Sequence, residues 1–129
     1  MRIRSILAFA AASIATLAMP SMVMAHTKVV ASTPAQGTKV AKPKQVTLTF
    51  SEALLPPTVA TSIVMTAMPG MKNHGEMVIR NFTTSWSNGN KTLTLALKQP
   101  LRAGDYDVRW QAAGADGHRM TGKVSFTVS

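Results

Sequence analysis

Polar and apolar residues alternate along four stretches of the chain. These are Gln45-Val46-Thr47-Leu48-Thr49-Phe50, Thr92-Leu93-Thr94-Leu95-Ala96-Leu97, Tyr106-Asp107-Val108-Arg109-Trp110 and the closing segment 124–128. Residues two apart point to the same side of an extended backbone, so each stretch predicts a half-buried strand. Segments 28–32, 62–66 and 82–86 are weaker strand candidates, and the last runs into the turn signal Asn88-Gly89-Asn90. Segment 34–44, rich in Lys, Pro and Gly, reads as a loop. No stretch carries a sustained helical period with caps. Short strands at close spacing, separated by Gly and Pro turns, predict a single all-β domain, a β-sandwich or small barrel. Tyr106, preceded by Leu101-Arg102-Ala103-Gly104-Asp105, stands near the start of a late strand, as in the tyrosine corner of immunoglobulin-like sandwiches; the cysteine pair of true immunoglobulin domains is absent.

The first 25 residues follow another pattern. Arg2 and Arg4 give a positive start, an apolar run spans 6–19, Pro20 and Ser21 break it, and Val23-Met24-Ala25 offers residues read by a signal peptidase. Residues 1–25 are therefore expected to be a signal peptide that is removed, and 26–129 the folded domain. Its 104 residues suffice for a single core. Loss of two arginines lowers the basic count from 14 to 12 against five acidic residues, and the net charge from +9 to +7. The Lys and Arg residues are scattered and aromatic residues few, so neither a basic run nor a stacking platform for nucleic acid is present. The chain has no cysteine, so a soft-metal site here must use thioethers or imidazoles.

Methionine is distributed unevenly. Met65, Met68, Met71 and Met77 fall within 13 residues, and the rest of the domain contains only Met120. Every third position from 65 to 77 is Met or His, with His74 completing the series. Methionines often fill gaps in a core, and a spacing of three can mark one side of a helix. Pro69, Gly70 and Gly75 oppose a helix, and the spacing does not keep to one face of a strand. The segment therefore reads as a loop. Thioether sulfur is soft and uncharged and suits Cu(I), so the segment is a candidate metal loop.

The remaining histidines are His26 and His118. Cleavage after Ala25 would give His26 both a free α-amine and an imidazole, two donors that can close a chelate ring on one ion. The α-amine has a pKa of about 7.7–8.0, so deprotonation near neutrality costs little. Asp116-Gly117-His118 sets a carboxylate and an imidazole two residues apart, on one face if the segment is extended. Asp-Gly is equally a hairpin turn signal, which would leave His118 solvated. Nitrogen donors with a carboxylate suit tetragonal Cu(II). Glu52 follows the strand ending at Phe50, and spacing alone does not bring it to a metal.

Together these residues resemble the CopC/PcoC family of periplasmic copper-resistance proteins. The resemblance rests on the His at the processed terminus, Leu48-Thr49-Phe50-Ser51-Glu52, the Met-rich loop, Gly104-Asp105-Tyr106-Asp107-Val108-Arg109-Trp110, and Asp116-Gly117-His118 before Gly122 and Phe126-Thr127-Val128. It implies an immunoglobulin-like (cupredoxin-like) Greek-key β-sandwich in the periplasm, with copper sites at opposite ends. It further implies Cu(II) held by His26, Asp116 and His118 with Glu52 in support, and Cu(I) held by Met65, Met68, Met71 and Met77. In the relatives the loop His sits closer to the third Met than His74 does to Met71, which sets His74 apart from the pattern. The implied partners are an inner-membrane copper transporter of the CopD type and other periplasmic copper proteins.

The sequence thus reads as a non-enzymatic copper carrier or buffer, without a nucleophile–base constellation. Two alternatives stand beside it. An N-terminal His chelating copper is also the centre of copper monooxygenases that attack polysaccharides, which oxygen consumption with a reductant would reveal. The other is a sandwich without metal, which leaves the methionine segment unexplained.

Overall fold

The computed structural model describes residues 27–71, 75–114 and 116–129. They form nine strands and one short 3-10 turn. The strands are β1 (Val29–Thr33), β2 (Lys39–Val40), β3 (Gln45–Phe50), β4 (Ala60–Ala67), β5 (Met77–Ile79), β6 (Phe82–Ser87), β7 (Thr92–Leu97), β8 (Gly104–Ala113) and β9 (Arg119–Val128); the 3-10 turn is Pro56–Thr58. They make two sheets, ordered β1-β3-β7-β6 and β2-β9-β8-β4-β5. Neighbours in each sheet are mostly not neighbours in sequence, so the chain crosses repeatedly between layers and ties them together. The architecture is the β-sandwich that the alternation predicts.

The alternating stretches sort their residues as their period requires. Val46, Leu48 and Phe50 of β3 and Leu93 and Leu95 of β7 are buried against Ile63 of β4, Tyr106, Val108 and Trp110 of β8, and Val124, Phe126 and Val128 of β9. Burying each such side chain contributes about 1.5–3 kcal/mol relative to exposure. Phe50 meets Trp110 of the opposite sheet edge-on, at 5.0 Å between ring centroids and 78°. Tyr106 stacks on Phe126 at 5.8 Å. The Tyr106 hydroxyl donates to the Arg102 carbonyl at 2.8 Å, the hydrogen bond of a tyrosine corner. Burial raises the pKa of this phenol above its usual value, while the Arg102 contact opposes the shift.

Two segments differ from their sequence reading. The 34–44 loop contains β2, which pairs in parallel with the end of β9, Lys39 opposite Thr127. A two-residue strand has no periodicity to reveal it; it exists because the β9 edge offers free backbone groups. The methionine segment is a loop only in its middle. Met65 lies inside β4 and Met77 begins β5, and the two face each other across an antiparallel pair. Sequence spacing hides this, because cross-strand register sets which residues meet.

Candidate metal centres at the two ends of the sandwich

β8 runs almost the length of the domain and links both candidate sites. Near its start, Tyr106 is paired with Met65 of β4; just past its end at Ala113 comes the turn carrying Asp116 and His118. Seven residues at about 3.4 Å each separate these points, roughly 24 Å.

At the first end, Met65, Met68 and Met77 line one cleft of about 180 Å³, with Ile79, Leu101 and Tyr106 as apolar walls. The three reach it by different routes. Met65 is 4% exposed and belongs to the core. Its side chain passes over Gly104, where an added Cβ would lie 2.6 Å from the Ala67 carbonyl oxygen and 3.3 Å from the Met65 methyl carbon, so any larger residue would push this strand end apart. Met68 is half-buried and Met77 half-exposed, at 50%. Met71 is 52% exposed and does not line the cleft. It is tied back through its own N–H, which donates to the Met68 carbonyl at 3.2 Å. Gly70 at the turn between them has φ +78°, a conformation that a residue without Cβ adopts freely. His74 lies outside the described residues.

Charge holds the far arm of this hairpin. Arg109 of β8 donates to both carboxylate oxygens of Glu76, at 2.7 and 3.0 Å, immediately before Met77. The Arg109 guanidinium holds the Glu76 carboxyl below the usual carboxylate range, chiefly by hydrogen bonding. Arg109 also contacts Asp107 at 3.4 Å, and Asp107 in turn accepts from the Ser125 hydroxyl at 2.7 Å. Sequence reading passed over this pair, because nothing in the linear order brings residues 76 and 109 together.

At the opposite end, Asp116, Gly117 and His118 form the connection between β8 and β9. The turn that Asp-Gly signals and the pairing of carboxylate with imidazole both occur. Gly117 has φ +80° and donates its N–H to the Gly114 carbonyl at 2.9 Å. Asp116 Oδ1 accepts from the His118 backbone N–H at 3.0 Å, and Asp116 Oδ2 lies 2.9 Å from His118 Nδ1. These contacts lower the Asp116 pKa, the side-chain hydrogen bond from His118 most. Both side chains are exposed, at 62% for His118 and 54% for Asp116. With Nδ1 occupied by the carboxylate, Nε2 is the ring nitrogen left to face a metal.

The start of the described chain is sewn to this end. The Thr27 N–H donates to Met120 Sδ at 2.9 Å. Lys28 N–H donates to the Ser51 hydroxyl at 3.1 Å, and Ser51 N–H donates to the Lys28 carbonyl at 2.8 Å. Thr27 is thus tied to β9 two residues beyond His118, while His26 itself lies outside the described residues. Glu52 is half-buried next to Ser51. Among the described residues no group of three His, Asp or Glu side chains gathers closely enough to hold an ion, so Glu52 does not close a cluster with Asp116 and His118. Sequence reasoning missed Thr27 and Met120. The available signal was Met120 itself, the one methionine of residues 26–129 outside the cluster, two residues beyond His118.

A β-sandwich with a sulfur-lined cleft at one end and a carboxylate–imidazole turn at the other defines a class of small metal-handling sandwich proteins. The CopC domain model matches residues 29–129, and the chain belongs to that family. It is 40% identical over 114 residues to copper resistance protein C of Pseudomonas syringae pv. tomato, covering 88% of this chain and 89% of the relative. It is 34% identical over 105 residues to copper resistance protein C of Escherichia coli, covering 81% and 82%. The crystal structure of PcoC, a methionine-rich copper resistance protein from Escherichia coli, superposes with a TM-score of 0.72 at 31% identity, covering 81% of this chain and all of that one. CopC from Methylosinus trichosporium OB3b gives a TM-score of 0.62 at 27% identity, covering 81% and 94%.

Proposed function

We propose that this protein is a periplasmic copper carrier that holds Cu(I) at the methionine end and Cu(II) at the Asp116–His118 end. The observation that carries the reading is the segregation of donors: three thioethers share one cleft, and the paired carboxylate and imidazole lie about 24 Å away along β8. Soft, uncharged sulfur favours Cu(I), whereas imidazole, amine and carboxylate favour Cu(II). Met65, Met68 and Met77 form the cleft, with Met71 brought in from the adjoining turn and His74 as a further candidate ligand. His26 of the processed chain, Asp116 and His118 form the other site. Resistance to copper is what the relatives are named for, and a small binding domain would contribute to it by buffering copper and handing it to a CopD-type membrane transporter. The domain is read as a carrier and not a catalyst; the Asp116 and His118 side chains proposed for Cu(II) are solvent-exposed at a hairpin.

The test is copper stoichiometry of protein beginning at His26, under oxidising and reducing conditions. One Cu(II) is expected in air, and one Cu(I), held at the methionine end, under reductant. Changing Met68 and Met71 to Leu should weaken Cu(I) binding and spare Cu(II), and His118→Phe should do the reverse. Equal loss of both ions in both variants would overturn the two-site reading.

A further inference from the structure

We propose that the free edge of β6 takes an extended, acidic segment of a partner protein as an added strand. Each sheet ends in two edge strands, β1 and β6 in one and β2 and β5 in the other. Exposed edges carry unpaired backbone groups, and proteins blunt them with bulges, prolines, charges or short length. Three of these four edges are blunted. β1 has a bulge between Val29 and Ala31 and runs into Pro34. β2 is two residues long and contains Lys39, and β5 is three residues long. β6 is six residues long, Phe82-Thr83-Thr84-Ser85-Trp86-Ser87, with no charge, no proline and an unbroken register on β7.

The groups that β6 turns outward follow from that register. The Lys98 N–H donates to the Asn81 carbonyl at 2.9 Å, which makes these opposed residues a hydrogen-bonded pair. Such pairs alternate along antiparallel strands. Thr83, Ser85 and Ser87 therefore bond to β7, and the N–H and C=O groups of Phe82, Thr84 and Trp86 point away from it. None of these outward groups has a hydrogen-bond partner among the described residues. The side chains of Phe82 and Trp86 pack against the core, whereas Thr84, between them on the same face, is exposed, so the sandwich is open along this edge. Charge selects the occupant. Exposed Arg80 and Lys98 stand at one end of β6, and exposed Lys91 follows the turn at the other. Among the described residues no carboxylate lies within ion-pair distance of any of them. A second copy brings the same cations, and a net charge of +7 on residues 26–129, against them. A strand flanked by Asp or Glu pairs with them instead. The outward backbone groups supply the affinity, and the cations select the acidic flanks.

The probe is a blocked peptide in which Val and Thr alternate between terminal Asp residues, titrated by NMR into isotope-labelled protein beginning at His26. Saturable shifts are expected at the amides of Phe82, Thr84 and Trp86, with slower hydrogen exchange at the same positions. Replacing the terminal Asp residues of the peptide by Lys should weaken binding about fivefold or more, the combined loss of a few exposed ion pairs. Thr84→Pro removes an outward N–H without touching a bond to β7, and should lower affinity on the order of tenfold. The paired change Lys91→Gln and Lys98→Gln leaves the strand itself intact and should lower affinity about threefold. Native chemical-shift dispersion shows that each variant is folded. No shift at these amides with millimolar peptide, or equal affinity for the Asp and Lys peptides, overturns the proposal. So does a concentration-dependent dimer that Thr84→Pro abolishes, which would give the edge to a second copy of this chain.

Discussion

The two ends of this sandwich are built by opposite means. The methionine end is an extension of the hydrophobic core: Met65 is buried between strands, and the cleft's remaining walls are Ile79, Leu101 and Tyr106. Its donors are placed by cross-strand register and packing, with the Arg109–Glu76 pair holding the outer arm. The Asp116–His118 end owes almost nothing to burial. Its donors are placed by hydrogen bonds within one five-residue connection, and by the stitching of Thr27 and Lys28 to β9 and Ser51. A ligand can therefore be positioned by the same forces that hold the fold, or by local polar contacts that the fold could spare. Damage should spread differently from the two ends.

The sharpest way to break the contrast is truncation of one sulfur at each depth. Met65→Ala removes buried side-chain volume, and is expected to cost about 2–5 kcal/mol of stability. Met71→Ala, at an exposed turn, should change stability by no more than about 0.5 kcal/mol. Urea unfolding of the copper-free protein checks this, and similar midpoints for the two variants would remove the claim that one sulfur is core and the other is not.

The other end should be fragile to a change that leaves the fold alone. One Gly added before His26 converts its amine to an amide and removes the proposed chelate ring. Cu(II) affinity is expected to fall on the order of 100-fold, with unfolding and Cu(I) binding at the methionine end unchanged. Unaltered Cu(II) affinity and an unaltered visible spectrum would remove His26 from the site.

Acidity should separate the ends more gently. Asp116 has a lowered pKa, so its carboxylate stays charged until pH falls below the ordinary carboxylate range, and the stability it contributes is present above about 3.9 and lost only below that. Imidazole must be neutral to ligate, and a free imidazole titrates near 6.5. Cu(II) affinity should therefore fall by up to about tenfold per imidazole for each pH unit below about 6.5, while thioether-held Cu(I) stays nearly constant. Competition titrations at several pH values would show it, and parallel slopes would contradict the donor assignment.

What could be read from the sequence follows the same division. Alternation in β3, β7, β8 and β9 gave the layers, and Tyr106 gave its corner, because those patterns are local. Asp116 and His118 were legible because a turn brings near neighbours together. The methionines were recognisable as chemistry but not as geometry. Their spacing of three suggested one continuous loop, whereas the pairing of Met65 with Met77 comes from the β4–β5 register. Contacts between Thr27 and Met120, 93 residues apart, or Glu76 and Arg109 had no local signature at all. The positions of His26 and His74 lie outside the described residues, and their roles rest on residue chemistry and family likeness.

β8 also acts as a ruler. It is a continuous ten-residue strand flanked by β4 and β9, and the fold offers no hinge along it by which its ends could meet. An ion bound at either end has no relay of donors through the apolar interior between them. No path inside one molecule therefore carries an ion between the proposed sites. Traffic between them would pass through solvent or through a second body, and transfer by a second body should scale in rate with the concentration of that body.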